Sequence, residues 1–299
     1  MMGSSSWESG SPSLIGSGLT SRVCPFYEEP DNAENHHRHS KKRQGGELTF
    51  RATDANLQRH IELLIEDWFS QPGLRAKKDE GDDVNSFLNC VGFTNAAAEC
   101  MRSYLNTNPA DRIARGILAR SIFELGVTCV WLSLTGLDGF EALRWDQQRQ
   151  KKALANDMKG FDSNEELSQT IAKVTEQEPH AKNNRAEQAR YFSQMIKSLD
   201  TGATPLYVIY RMYSEYSHAS LGVANSYIEE DEGGEVGIYF PARHQALNDH
   251  TGTAVAPFVW AVNAVNKMLI DEPFSALLGT MKTLLETGID FTLKDQPAP

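Results

Sequence analysis

From Leu57 onward the apolar residues of this chain recur at intervals of three and four, and that period limits it to a helical fold. Leu57, Ile61, Leu64 and Trp68 are separated by four, three and four residues, which places them on one stripe of an α-helix. Asp54 is the expected N-cap, and the helix should reach about Phe69. A second helical stretch, Val84 to Leu105, is expected to stop at Asn108-Pro109. There Asn suits an N-cap and Pro the first turn of a third helix, which should run to Gly136.

The pattern continues toward the C-terminus. Asp138 can cap a charged helix reaching Lys159, and Ser163-Asn164-Glu165-Glu166 has the form of a capping box. It would open a helix carrying Leu167, Ile171 and Val174 on one face, bracketed by Gly160 and Pro179. Further helices are expected over Asn184 to Leu199, from Thr204-Pro205 to about Ser220, over Pro257 to Ile270 and over Pro273 to Thr287. Roughly nine helices result. The exception is Ser226 to Pro241, where Tyr227-Ile228 and Val236-Gly237-Ile238 flank an acidic run ending in Gly233-Gly234. That stretch reads equally as a small β-hairpin or as an acidic surface loop.

The fold expected is therefore all-α, a multi-helix bundle from about Glu47 to Thr292 with room for one small hairpin. Apolar residues make up 40% of the chain, enough to bury a core. Residues 1–46 are rich in Ser, Gly, Asn and His and end in the basic run His36 to Arg43. They cannot bury enough apolar surface to offset ordering, so a disordered, solvated tail is expected. Residues 293–299 are expected to form a short flexible end.

Composition also excludes some functions. A net charge of −11 argues against a broad electrostatic grip on nucleic-acid backbones, though not against a local basic site. No run matches the roughly 18 to 20 apolar residues of a membrane span, since Ile117 to Leu134 carries Arg120 and Glu124. With no apolar signal segment in Met1 to Gly18, a cytoplasmic location and no membrane partner are expected. Cys24, Cys90, Cys100 and Cys129 form no C-x-x-C pair and read as free thiols. His244 and His250 lack metal-ligand spacing, and no phosphate-binding or dinucleotide motif occurs, so no metal and no cofactor are assigned.

Two helices carry charges that do not belong on an apolar face. Arg120 and Glu124 are four apart within Ile117, Leu118, Ile122, Phe123, Val127, Val130 and Trp131. Buried singly, either charge would cost several kcal/mol, so they must pair or face a cleft, and an interhelical ion-pair network that fixes packing is the plainer reading beside a site lining. Arg211 and His218 are seven apart, within about 20° of two full helical turns, and should share a stripe with Ser214 and Glu215 between them. A neutral imidazole there can take or return a proton while the guanidinium holds a phosphate. The plainer alternative pairs Arg211 with Glu215 and leaves His218 on the helix dipole. Tyr207, Tyr210, Tyr213 and Tyr216 read as half-buried packing before base-stacking groups. Asn263 and Asn266 read as interhelical hydrogen bonders before ligand contacts.

Two resemblances rest on these residues. Ala119 to Leu125, followed by Tyr213-Ser214-Glu215-Tyr216-Ser217-His218-Ala219-Ser220, is similar to a bacterial helical family of unknown function, over roughly Leu57 to Leu285. Arg211, six residues, then His218 resembles the signature of HEPN domains, many of which are metal-independent RNases acting as toxins or antiphage effectors. That resemblance implies Arg211 and His218 as catalytic residues, and in the ribonuclease hypothesis built on them Arg120, Glu124, Tyr213, Ser214 and Ser217 are expected to bind substrate or orient the site. It implies RNA as substrate, a homodimer, and an antitoxin or other protein partner. The alternative is a non-catalytic helical binding or protein-interaction module, and a metal-dependent hydrolase ranks last.

Overall fold

The computed structural model describes residues 44–77, 84–158, 180–200, 204–218, 221–230, 236–238, 251–285 and 288–294, with a few isolated positions between. Residues 1–43 of the expected tail with its basic run, the capping box at Ser163, Cys24, His244 and His250 lie outside the described residues, whereas residues 44–46, expected to belong to the tail, are the first residues of a helix. Within them the protein is all-α. The helices are α1 (Gln44–Ser70), α2 (Val84–Asn106), α3 (Arg112–Met158), α4 (Ala186–Arg190) and α5 (Phe192–Ser198), followed by α6 (Leu206–Ser217), α7 (Leu221–Asn225), α8 (Thr251–Met268) and α9 (Ser275–Leu285).

Two small antiparallel pairs accompany them. β1 (Leu199–Asp200) joins β4 (Thr292–Leu293), and β2 (Ile228–Glu230) joins β3 (Val236–Ile238) with Ile228 opposite Ile238. The second pair decides between hairpin and loop in favour of the hairpin.

The apolar stripes read from the sequence form the core. Leu57, Ile61, Leu64 and Trp68 of α1 are buried, with Phe123, Val127, Trp131 and Leu132 of α3 and Phe258, Val259 and Trp260 of α8. Each such side chain contributes about 1.5–3 kcal/mol on leaving water. Helix α3 is the central rod and packs on α2, α8, α4, α6 and α5. An 18-residue window of it is apolar and long enough to cross a membrane, and half of that window is buried inside the protein.

Glycine permits the tightest of these crossings. A Cβ on Gly126 would lie 2.2 Å from the Pro257 carbonyl oxygen of α8, so only hydrogen lets the two backbones meet. At Gly136 the backbone turns to φ 55° and ψ −133°, kinking α3 where the sequence predicted a break before Asp138. The thiols are free, as expected for the described ones. Cys90 and Cys129 each donate to the other's carbonyl across α2 and α3 at 3.5 Å. The hydrogen bond with Cys129, together with burial, holds the Cys90 thiol well above its ordinary range.

Several boundaries depart from expectation. Helix α1 begins at Gln44, so Asp54 lies inside it and is no N-cap. Asn108 forms an Asx turn, its side-chain oxygen accepting from the Ala110 amide at 3.0 Å, and α3 starts only at Arg112. The expected helix from Asn184 is broken at Tyr191, whose φ −118° and ψ 102° are extended. Helix α8 begins at Thr251, placing Pro257 inside it rather than at its start.

The polar positions Asn263 and Asn266 secure the end of the bundle. Asn266 accepts from the Phe274 amide at 3.0 Å and donates to the Ser275 hydroxyl at 3.1 Å. Asn263 donates to the Ile289 carbonyl at 2.8 Å. Both amides are engaged by the fold: Asn266 reaches the start of α9, as interhelical bonding predicts, whereas Asn263 bonds the segment that follows α9 instead of a helix.

Candidate functional site

Helix α6 lies against the first half of α3, and the site forms where α6 ends. Leu206 and Tyr213 are its buried positions. Tyr213 stacks obliquely on Phe123 of α3 at 6.2 Å, and its hydroxyl pairs with the Thr253 hydroxyl of α8 at 2.7 Å. At Gly116 a Cβ would stand 2.4 Å from the Tyr216 ring, so a missing side chain sets how near the end of α6 approaches α3. One turn beyond Gly116 on α3 is Arg120.

Arg120 is held from four directions. Its Nε donates to Glu124 Oε1 at 2.8 Å, the i,i+4 pairing that the spacing predicts. Its Nη1 donates to the Ser217 hydroxyl and lies 3.2 Å from Nε2 of His218. Its guanidinium sits 5.4 Å from the centroid of the Tyr210 ring, a cation–π contact. The Arg120 side chain is 14% exposed and that of Glu124 40%, so the pair lies at the edge of the core with its carboxylate toward water. Among the described residues Arg120 Nη2 has no hydrogen-bond partner and remains a donor for a ligand.

The contact selects one tautomer of a neutral imidazole. Arginine has no acceptor, so a hydrogen bond between Nη1 and His218 Nε2 requires that Nε2 accept and that Nδ1 carry the proton. The ring is exposed. Ser217 is turned inward chemically: its hydroxyl accepts from Arg120 and donates to the Ser214 carbonyl at 3.2 Å. Ser214 in turn donates to the Tyr210 carbonyl at 2.7 Å. Such serine back-bonds compete with helical hydrogen bonding.

Helix α6 stops at Ser217, and His218 is extended with φ −114° and ψ 144°. The two-turn stripe expected to join Arg211 to His218 is therefore not formed. His218 leaves the helix and meets Arg120, whereas Arg211 is exposed on the face away from buried Tyr213. Six residues at about 100° each put Arg211 some 120° around the axis from Ser217. The i,i+4 alternative, Arg211 with Glu215, is not formed either, since Arg211 has no ion pair among the described residues.

The structure thus brings together Arg120, Glu124, Ser217 and His218, with Ser214 one turn below. Tyr213 is committed to the core and Arg211 stands apart. Sequence reasoning missed the place of Tyr210 beneath Arg120 and the role of Gly116. Tyr210 lies seven residues before Ser217 on the same stripe, and that was the available signal.

Residues 114–235 match the model of a family described as "Family of unknown function (DUF5677)". The match begins just inside α3 and runs into the hairpin, enclosing every residue of the site. Neither the curated proteins nor the solved structures include a match to this chain.

Proposed function

We propose that the protein is a metal-independent ribonuclease of toxin or antiphage type, with Arg120 taking the phosphate-binding part first expected of Arg211. The observation that carries this reading is the 3.2 Å contact between Arg120 and an exposed His218. A phosphodiester arriving at Arg120 competes for its Nη1 and releases His218 Nε2. That nitrogen then accepts the proton of a ribose 2′-hydroxyl as its oxygen attacks phosphorus. The P–O5′ bond breaks, and the resulting imidazolium returns a proton to the departing oxygen. Glu124 holds the guanidinium in plane, and Arg120 opposes the charge that develops on the phosphoryl oxygens. Arg211, exposed on the outer face of α6, is free to meet distal substrate or the second protomer of the homodimer.

The test is induced expression of the parent protein beside His218→Ala and Arg120→Ala, with total RNA examined. Growth arrest with fragmented RNA in the parent alone supports the nuclease. Equal growth and intact RNA in all three removes it.

The second reading, a non-catalytic binding module, is favoured by one feature. Arg120 already satisfies Nε and Nη1 inside its own chain, as a structural ion-pair network would. Intact RNA together with a stability loss in Arg120→Ala selects that reading.

A further inference from the structure

We infer that the surface running from Arg120 along α6 to Lys197 is a binding track for single-stranded RNA, which stacks a base on Tyr207. This rests on the reading of the Arg120–His218 site as one that acts on RNA, and it names how the strand is held beside it. The groups follow one another in contact. Arg120 lies over the Tyr210 ring at 5.4 Å, Tyr210 and Tyr207 have centroids 6.4 Å apart, and Lys197 of α5 stands 5.8 Å from the Tyr207 ring. Cations thus close both ends of a two-ring platform.

The two rings differ in role. Tyr210 is half-buried, wedged against Phe192 at 5.2 Å as well as beneath Arg120, so it is the fixed floor of the track. Tyr207 is 43% exposed and offers a ring to solvent. Among the described residues neither phenol has a hydrogen-bond partner, and Lys197, also exposed, has no ion pair. A lone packing role for Tyr207 would bury it, as Tyr213 is buried six residues along the same helix.

Charge and chemistry select the occupant. A ring with flanking cations suits a polymer of alternating flat bases and phosphates, because stacking tolerates any base and each cation meets a phosphate. The net charge of −11 means that stacking, rather than a wide basic surface, must supply the affinity. Binding should therefore depend only shallowly on salt.

The experiment uses the full chain carrying His218→Ala, so that RNA is bound and not cut, and a short fluorescein-labelled oligoadenylate read by polarisation. Adding Tyr207→Ala should weaken binding by roughly 5- to 100-fold, while Tyr207→Phe retains it. Lys197→Gln should weaken it less and flatten the salt dependence further. An abasic oligomer of equal length should bind as poorly to the parent as oligoadenylate does to Tyr207→Ala.

Equal affinity of Tyr207→Ala and its parent overturns the track, as does equal binding of abasic and base-bearing oligomers or no binding at all. Binding that depends on Tyr207 in a protein whose wild type leaves cellular RNA intact supports the track while removing the nuclease. The two proposals therefore fail separately.

Discussion

Arg120 Nη1 and His218 Nε2 are 3.2 Å apart although 98 residues separate them in the chain. The guanidinium arrives on the central helix α3, and the imidazole arrives on the first extended residue after α6. Neither helix carries the pair alone, so the site exists only when α3 and α6 are packed.

Arg120→Lys is expected to fail nearly as badly as Arg120→Ala. A lysine keeps the charge but cannot bond Glu124 and His218 through a planar fork while lying over Tyr210. On the proposed nuclease reading, RNA cleavage by the purified protein should fall by on the order of 10²-fold, the usual effect of removing one oriented donor. Arg211→Ala should lose less than either. An Arg120→Lys enzyme with near-parental rates would disprove the assignment.

Two glycines should separate packing from the site. Gly126→Ala drives a methyl against the Pro257 carbonyl, which is backbone and cannot turn aside. Gly116→Ala instead meets the Tyr216 ring and pushes the end of α6 from α3. Each should cost about 1–3 kcal/mol in denaturant unfolding. Only Gly116→Ala should lose more activity than its lost stability explains.

Asn266→Ala leaves the buried Phe274 amide without its acceptor. A cost of about 1–3 kcal/mol follows from an unpaired buried donor. Urea midpoints would show it, and an unchanged midpoint would mean that the amide finds another acceptor.

Stability should also fall in acid through Asp290. A hydrogen bond from Lys267 holds this carboxyl below the usual aspartate range, with smaller help from Asn263 and Lys282 and against partial desolvation. The folded state therefore binds the proton less readily than the unfolded state. The resulting stabilisation is present at neutral pH, above the unfolded pKa, and is lost as pH falls through the depressed folded value. The groups are more than half exposed, so the effect is at most about 1 kcal/mol. Asp290→Asn should remove it at pH 7 and flatten the acid limb of the stability curve.

The periodic elements were legible because they obey local rules. The stripe from Leu57 to Trp68 is buried as its spacing requires, and Arg120 pairs with Glu124 across a four-residue spacing that makes them neighbours on a helix. Asn263 and Asn266 were legible for a related reason, since a polar amide in an apolar helix must find a partner. The link between Arg211 and His218 was an extrapolation of the same period past Ser217, where the helix no longer continues.

What the sequence determined by itself was the helical class, the apolar stripes and the ion pair within α3, all set by interactions a few residues long. What only the tertiary structure decided was which arginine meets His218. That choice depends on the closeness of α3 and α6 at Gly116 and on a guanidinium of α3 stacked on Tyr210 of α6. Those are contacts between distant segments, and no local period encodes them.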